Sequence, residues 1–136
     1  MSKIYLDEPY VTVAFDETIP AVRVTHHGYQ DSAEFRLTIE RAIQCVTEQS
    51  AAYPRMGWLA DTRKQNALDP DDVAWCNGEI LARCPGLRRL ALVIPEDTFG
   101  AMAIQDFAEM SEQAADQLAS RLFPSVEEAR AWIQGA

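Results

Sequence analysis

Positive charge is scarce in this sequence. Twelve lysines and arginines stand against 21 aspartates and glutamates over 136 residues, for a formal net charge of -9. Nucleic acid and anionic membrane surfaces both reward a basic patch, so neither is expected as a partner. The acidic balance could suit a basic partner, but solubility is the simpler reading. No apolar run reaches the ~20 residues of a membrane-spanning helix, so no membrane span is expected. The opening Met1-Ser2-Lys3-Ile4-Tyr5-Leu6-Asp7 has no signal-peptide core, and the expected location is cytoplasmic. Cysteine is limited to Cys45, Cys76 and Cys84, an odd number without CxxC spacing and inside helical patterns. They read as small buried hydrophobes in a reducing compartment rather than as a disulfide frame or a metal site. Histidine is limited to His26 and His27. Neighbours in an extended strand point to opposite faces and do not readily share a metal ion, so a metal site would need Asp61 or Asp97 to converge on one of them. No metal or other cofactor is expected.

What is present is the composition of an ordinary globular domain, 48% hydrophobic and 24% charged. A chain of this length buries roughly two-thirds of its unfolded surface without disulfides or metal. No repeat, low-complexity segment or linker interrupts it, and a single domain over residues 1–136 is expected.

The stretch Gly57 to Asp72 organises the rest. Trp58-Leu59-Ala60 reads as a short buried strand ending in the charged run Asp61-Thr62-Arg63-Lys64. Asp69-Pro70-Asp71-Asp72 then opens a helix: Asp69 suits the N-cap, Pro70 the first helical position, and the two aspartates the positive end of the helix dipole. Before this stretch, Ile4–Leu6, Tyr10–Asp16 and Ala21–His26 read as strands, the second with Val11, Val13 and Phe15 on one face. Asp31 and Glu34 have the capping-box spacing at the head of a helix whose stripe is Phe35, Ile39, Ala42, Ile43 and Val46 and which fades near Ser50. After it, Val73, Cys76, Ile80 and Cys84 make the stripe of a helix ended by Pro85-Gly86. Trp75 falls beside that stripe as a partly exposed aromatic, and Gly78 inside the helix suggests a close neighbour. Leu90–Ile94 is a continuous apolar run, the mark of a strand covered on both faces. Ala103, Phe107, Met110 and Ala114 have helical spacing, Leu118–Phe123 reads as a last strand, and Ser125 with Glu128 caps a closing helix lined by Val126, Ala129, Trp132 and Ile133. Trp58 and Trp132 read as core.

The order β-β-β-α-β-α-β-α-β-α predicts an α/β fold: a single mixed sheet with antiparallel N-terminal strands, a parallel centre and about four packed helices. Gly57-Trp58-Leu59-Ala60-Asp61-Thr62-Arg63, Asp71-Asp72-x-x-Trp75, Leu90-Ala91-Leu92-Val93-Ile94-Pro95-Glu96-Asp97 and the closing Arg121-Leu122-Phe123-Pro124-Ser125-Val126-Glu127-Glu128-Ala129-Arg130-Ala131-Trp132-Ile133 together resemble the bacterial STAS-like proteins, the SpoIIAA-like group often labelled STAS/SEC14. The resemblance implies a cytoplasmic, non-enzymatic domain with the fold of anti-sigma-factor antagonists, topologically similar to lipid-carrying domains. Regulatory members carry a phosphorylatable Ser or Thr at the start of the helix after the central strand. Here that helix opens Leu68-Asp69-Pro70-Asp71-Asp72, without a hydroxyl, and its carboxylates would repel a phosphate.

If the strands ending at His26, Asp61 and Ile94 run parallel, the residues just past them meet at one sheet edge, where open α/β sheets bind ligands. The candidates are His26, Asp61, Arg63, Lys64 and Asp97, with Trp75 and Phe99 as apolar walls. The simpler alternative is that Asp61 and Arg63 pair with each other or satisfy loop backbone, and that Asp97 caps a helix. Three functions are weighed. The first is an interaction module that contacts a protein partner through the charged strand ends and the Trp75 face. The second is a carrier or sensor of a small amphipathic, lipid-like ligand, which requires an apolar cavity between the sheet and one helix. The third is a metal-dependent hydrolase using His26 with Asp61 or Asp97. A homodimer is compatible with all three.

Overall fold

The computed structural model describes residues 3–65, 68–95 and 118–135. The strands are β1 (Lys3–Glu8), β2 (Val11–Asp16), β3 (Ala21–His26), β4 (Gly57–Asp61), β5 (Arg89–Val93) and β6 (Ala119–Phe123). The helices are α1 (Ser32–Gln49), α2 (Pro70–Arg83) and α3 (Val126–Gln134). The helix expected around Ala103–Ala114, and Glu96, Asp97 and Phe99, lie outside the described residues, so three helices are described where about four were expected.

The six strands form one sheet whose spatial order follows the chain, β1-β2-β3-β4-β5-β6. The first three pair antiparallel and β3 to β6 run parallel. The mixed sheet read from the sequence is therefore the one found. Parallel neighbours need a crossover, and α1 and α2 supply those from β3 to β4 and from β4 to β5.

Each helix begins where its cap dictates. The Asp31 carboxylate accepts from the Glu34 amide at 2.8 Å while the Glu34 side chain accepts from the Asp31 amide at 3.0 Å, a complete capping box. Asp69 accepts from the Asp71 amide at 2.8 Å, with Pro70 at the first turn. Ser125 accepts from the Glu128 amide at 3.3 Å.

The sheet has apolar residues on both faces of its parallel half. One face carries Val22, Val24, Trp58, Ala60 and Leu90 and is covered by α1, whose Phe35, Ile39, Ala42, Ile43 and Val46 are buried against it. The opposite face carries Ala21, Leu59, Ala91 and Val93 and is covered by α3 through Ala129 and Ile133. Every residue of β4 is buried as a result. Trp58 is core, as expected, whereas Trp132 is only half-buried; it packs on Phe123 with ring centroids 5.5 Å apart and beneath the Arg89 guanidinium at 4.9 Å. A tryptophan on a short amphipathic helix reaches the rim of the interface, and an arginine rather than more core covers its outer surface.

Gly78 does not mark a close approach among the described residues, none of which lies within 4 Å of where its Cβ would be. The close approach is at Gly57, where a Cβ would stand 2.7 Å from Ile133 Cγ2 and 3.1 Å from the Arg89 carbonyl oxygen. Gly57 opens β4 where α3 presses on the sheet, and only a residue without a side chain fits.

Candidate functional site

The parallel pairing of β3, β4 and β5 brings their carboxyl ends to one edge, with Thr25 level with Asp61 and Asp61 level with Val93. The expected convergence of His26 and Asp61 at that edge is found, but strand alternation sends their side chains to opposite faces. His26 follows Val24 onto the α1 face, and Asp61 follows Leu59 onto the α3 face. His27 is exposed, its Nε2 2.8 Å from Thr12 Oγ1. Among the described residues no three His, Cys, Asp or Glu side chains are grouped to hold a metal ion.

Asp61 and Arg63 form a two-pronged pair, Arg63 Nε donating to Asp61 Oδ1 at 2.9 Å and Nη2 to Oδ2 at 2.6 Å. The Arg63 amide also donates to Asp61 Oδ1, at 3.2 Å. Burial works against the Asp61 carboxylate, but the side-chain and backbone hydrogen bonds from Arg63, with its charge, outweigh it and hold the pKa below the ordinary value. Arg63 is thus committed within its own loop, which is the simpler of the two sequence readings. Lys64 beside it is exposed.

Trp75 is half-buried, packed against the core, and the Arg36 guanidinium lies 4.8 Å from its ring centroid. Arg36 Nε donates to Asp72 Oδ1 at 3.0 Å, and Ser32 Oγ donates to the same oxygen at 2.8 Å. Those contacts, led by the Ser32 hydrogen bond, keep the Asp72 carboxyl below its usual pKa. At the other end of α2, Arg83 Nη1 donates to Glu40 Oε1 at 2.8 Å. Polar clasps at both ends therefore fasten α2 to α1.

Fastened this way, α2 packs chiefly on α1 and stands off the sheet. Between them lies a cavity of about 280 Å³. Its floor is Val24, Trp58, Ala60, Leu90 and Leu92 from the sheet. Phe35 and Ile39 of α1 form one wall, and Val73, Cys76, Ile80 and Leu81 of α2 form the other. Neutral polar groups are set among them: Thr62, Gln65, Asn77, Ser120 and His26. The first half of the α2 stripe thus borders the cavity, with Val73 40% exposed and Cys76 half-buried, while Ile80 and Cys84 are buried in the core. The sequence placed this stripe on core; Ile80 and Cys84 are core, and Val73 and Cys76 line the cavity instead.

His26 is 4% exposed, and its Nδ1 has no hydrogen-bond partner among the described residues. Burial pushes its pKa down to about 4, against smaller pulls from the nearby Gln30 side chain and the Asp61 charge. The imidazole is therefore neutral at neutral pH. Burial also pushes Cys76 and Cys45 up to about 12 and Cys84 to about 11, so all three remain thiols. Sequence reasoning singled out His26 but missed Trp58, Leu92 and Asn77 as lining. Their apolar or neutral character is the same whether a helix sits flush on them or stands off.

No family profile matches the chain, and no curated protein does. Among solved structures it is similar, with a TM-score of 0.52 and 11% identity, to an uncharacterised protein of the DUF3478 family with a SpoIIAA-like fold from Shewanella loihica PV-4; the match covers 98% of this chain and 95% of that one. The fold is SpoIIAA-like, as the sequence resemblance implied.

Proposed function

We propose that this chain is a non-enzymatic binding module that holds a small, largely apolar ligand between its sheet and α2. The cavity is the observation that carries this reading. Protein interiors are close-packed and leave few voids larger than a water molecule. A space of about 280 Å³ lined mainly by Leu, Ile, Val, Phe and Trp departs from that rule. It also approaches the range of small-molecule pockets, roughly 300–1,000 Å³ with mainly apolar walls and a few placed polar groups. The non-enzymatic part is supported by the chemistry of the groups present: three protonated thiols, and a histidine and an aspartate that leave the sheet on opposite faces.

Native mass spectrometry of the freshly purified protein tests this directly. Extra mass that departs on denaturation is expected and would identify the ligand class. A clean apoprotein that also fails to take up any small apolar compound would overturn it.

The protein-partner reading is second, and one observation favours it. The Arg36–Trp75 stack lies at the seam of α1 and α2 with Trp75 half-exposed, and arginine and tryptophan are enriched at interface hot spots. Against it, Arg63 is already paired with Asp61 at the surface. Trp75→Ala would weaken capture of such a partner and leave small-ligand binding intact.

A further inference from the structure

The chemistry of the cavity narrows what it can hold; this step rests on the ligand-binding reading above. Among the described residues that line it there is no aspartate, glutamate, lysine or arginine. Arg63, one of the cations expected at this sheet edge, is paired with Asp61. An ionised ligand would leave water without a counter-charge, and such a transfer costs more than a few hydrogen bonds return. A wholly apolar ligand, in turn, would leave the Nδ1 of the buried His26 ring without a hydrogen bond, since it has none among the described residues even though the ring lies close to the Gln30 side chain.

From this geometry we infer that the cavity selects an uncharged amphiphile: a compact apolar body with a single hydroxyl or amide that hydrogen-bonds the His26 imidazole. A neutral imidazole carries one N–H and one lone pair. A hydroxyl or amide both donates and accepts, so it can satisfy whichever nitrogen faces it, whereas a carboxylate only accepts and an ammonium only donates. Size follows from volume. A cavity of about 150 Å³ accepts benzene, so this one suits a body of roughly ten non-hydrogen atoms. Gln65, Asn77 and Ser120 offer further neutral contacts in the lining.

Isothermal titration of the whole protein at neutral pH with 1-octanol, octanoate and octylamine separates the possibilities, because the three share one chain and differ in head group. Octanol is expected to bind, with octanoate and octylamine weaker by about 100-fold, the signature of an uncompensated buried charge. Replacing the imidazole by a side chain that cannot hydrogen-bond, His26→Leu, is expected to weaken octanol by about fivefold. His26→Phe keeps a ring of similar shape but has no hydrogen-bonding nitrogen; it is expected to weaken octanol by a similar factor, which also covers the case in which His26→Leu does not fold. Cys76→Phe fills the space and is expected to abolish octanol binding. Equal binding of octanol and octanoate would overturn selection for an uncharged head while leaving the cavity's ligand-binding role standing. Octanol binding undiminished in both His26 variants would overturn the role of the imidazole. Absence of binding by all three probes would overturn the cavity reading itself.

Discussion

The two faces of the sheet solve the same packing problem in opposite ways. On the α3 face the helix comes so close that β4 must begin with glycine, Leu59 and Ala91 are fully buried, and the buried carboxylate of Asp61 is neutralised by Arg63. On the α2 face the helix is clasped at both ends to α1 and, among the described residues, leaves about 280 Å³ unfilled and the imidazole of His26 without a partner on Nδ1. Both faces use similar aliphatic residues. What differs is the seating: α3 presses Ala129 and Ile133 directly onto the strands, whereas α2 buries Ile80 and Cys84 but is also tied to α1 by polar contacts and leaves Val73 and Cys76 beside the cavity.

The largest expected contrast comes from truncating one leucine on each face. Leu59→Ala on the packed face should cost about 4 kcal/mol, since its surroundings cannot collapse into the hole, and Leu92→Ala at the cavity floor about half of that. Denaturant melts of both variants check this, and equal losses would show that the faces are packed alike. Next is acid sensitivity. Unfolded, the His26 imidazole has its usual pKa of 6.5; folded, the value is about 4. Between those values the unfolded chain binds a proton that the folded chain does not, so stability rises with pH there. It should be intact above 6.5 and fall by about 3 kcal/mol as the pH drops toward 4. Denaturation midpoints taken across that window should slope in the native protein and flatten in His26→Leu. An unchanged slope in the variant would place the proton elsewhere. The smallest effects come from two glycines. Gly57→Ala should destabilise by about 2 kcal/mol through the clash with Ile133. Gly78→Ala, in an open helical position, should stabilise by up to about 1 kcal/mol. Thermal melts of the pair should move in opposite directions.

Much of the fold was legible because its signals are local. Asp31 with Glu34, Asp69 with Pro70 and Ser125 with Glu128 start their helices through contacts within one turn, and alternation in Val11–Asp16 is visible at a glance. The pairing of Asp61 with Arg63, two residues apart, was likewise within reach. What escaped depends on distances between elements. Nothing near Gly57 in the chain announces Ile133, and nothing near Gly78 announces empty space. The α2 stripe of Val73, Cys76 and Ile80 is the same for a helix lying on a sheet and for one standing away from it. The clasp that makes the difference joins Asp72 to Ser32 and Arg36, far upstream.

The sheet's spatial order also has a consequence for how the chain is made. Because each strand lies beside its predecessor, a chain emerging from the ribosome can add strands to a growing edge one at a time, without reserving a gap for a later arrival. The face under α1 can begin to assemble while the downstream strands are still being synthesised. The opposite face has to wait for α3, which follows all six strands and reaches back to Gly57. Until then no other described helix covers the apolar side of β4 and β5, and that interval leaves this face open to aggregation and to chaperones.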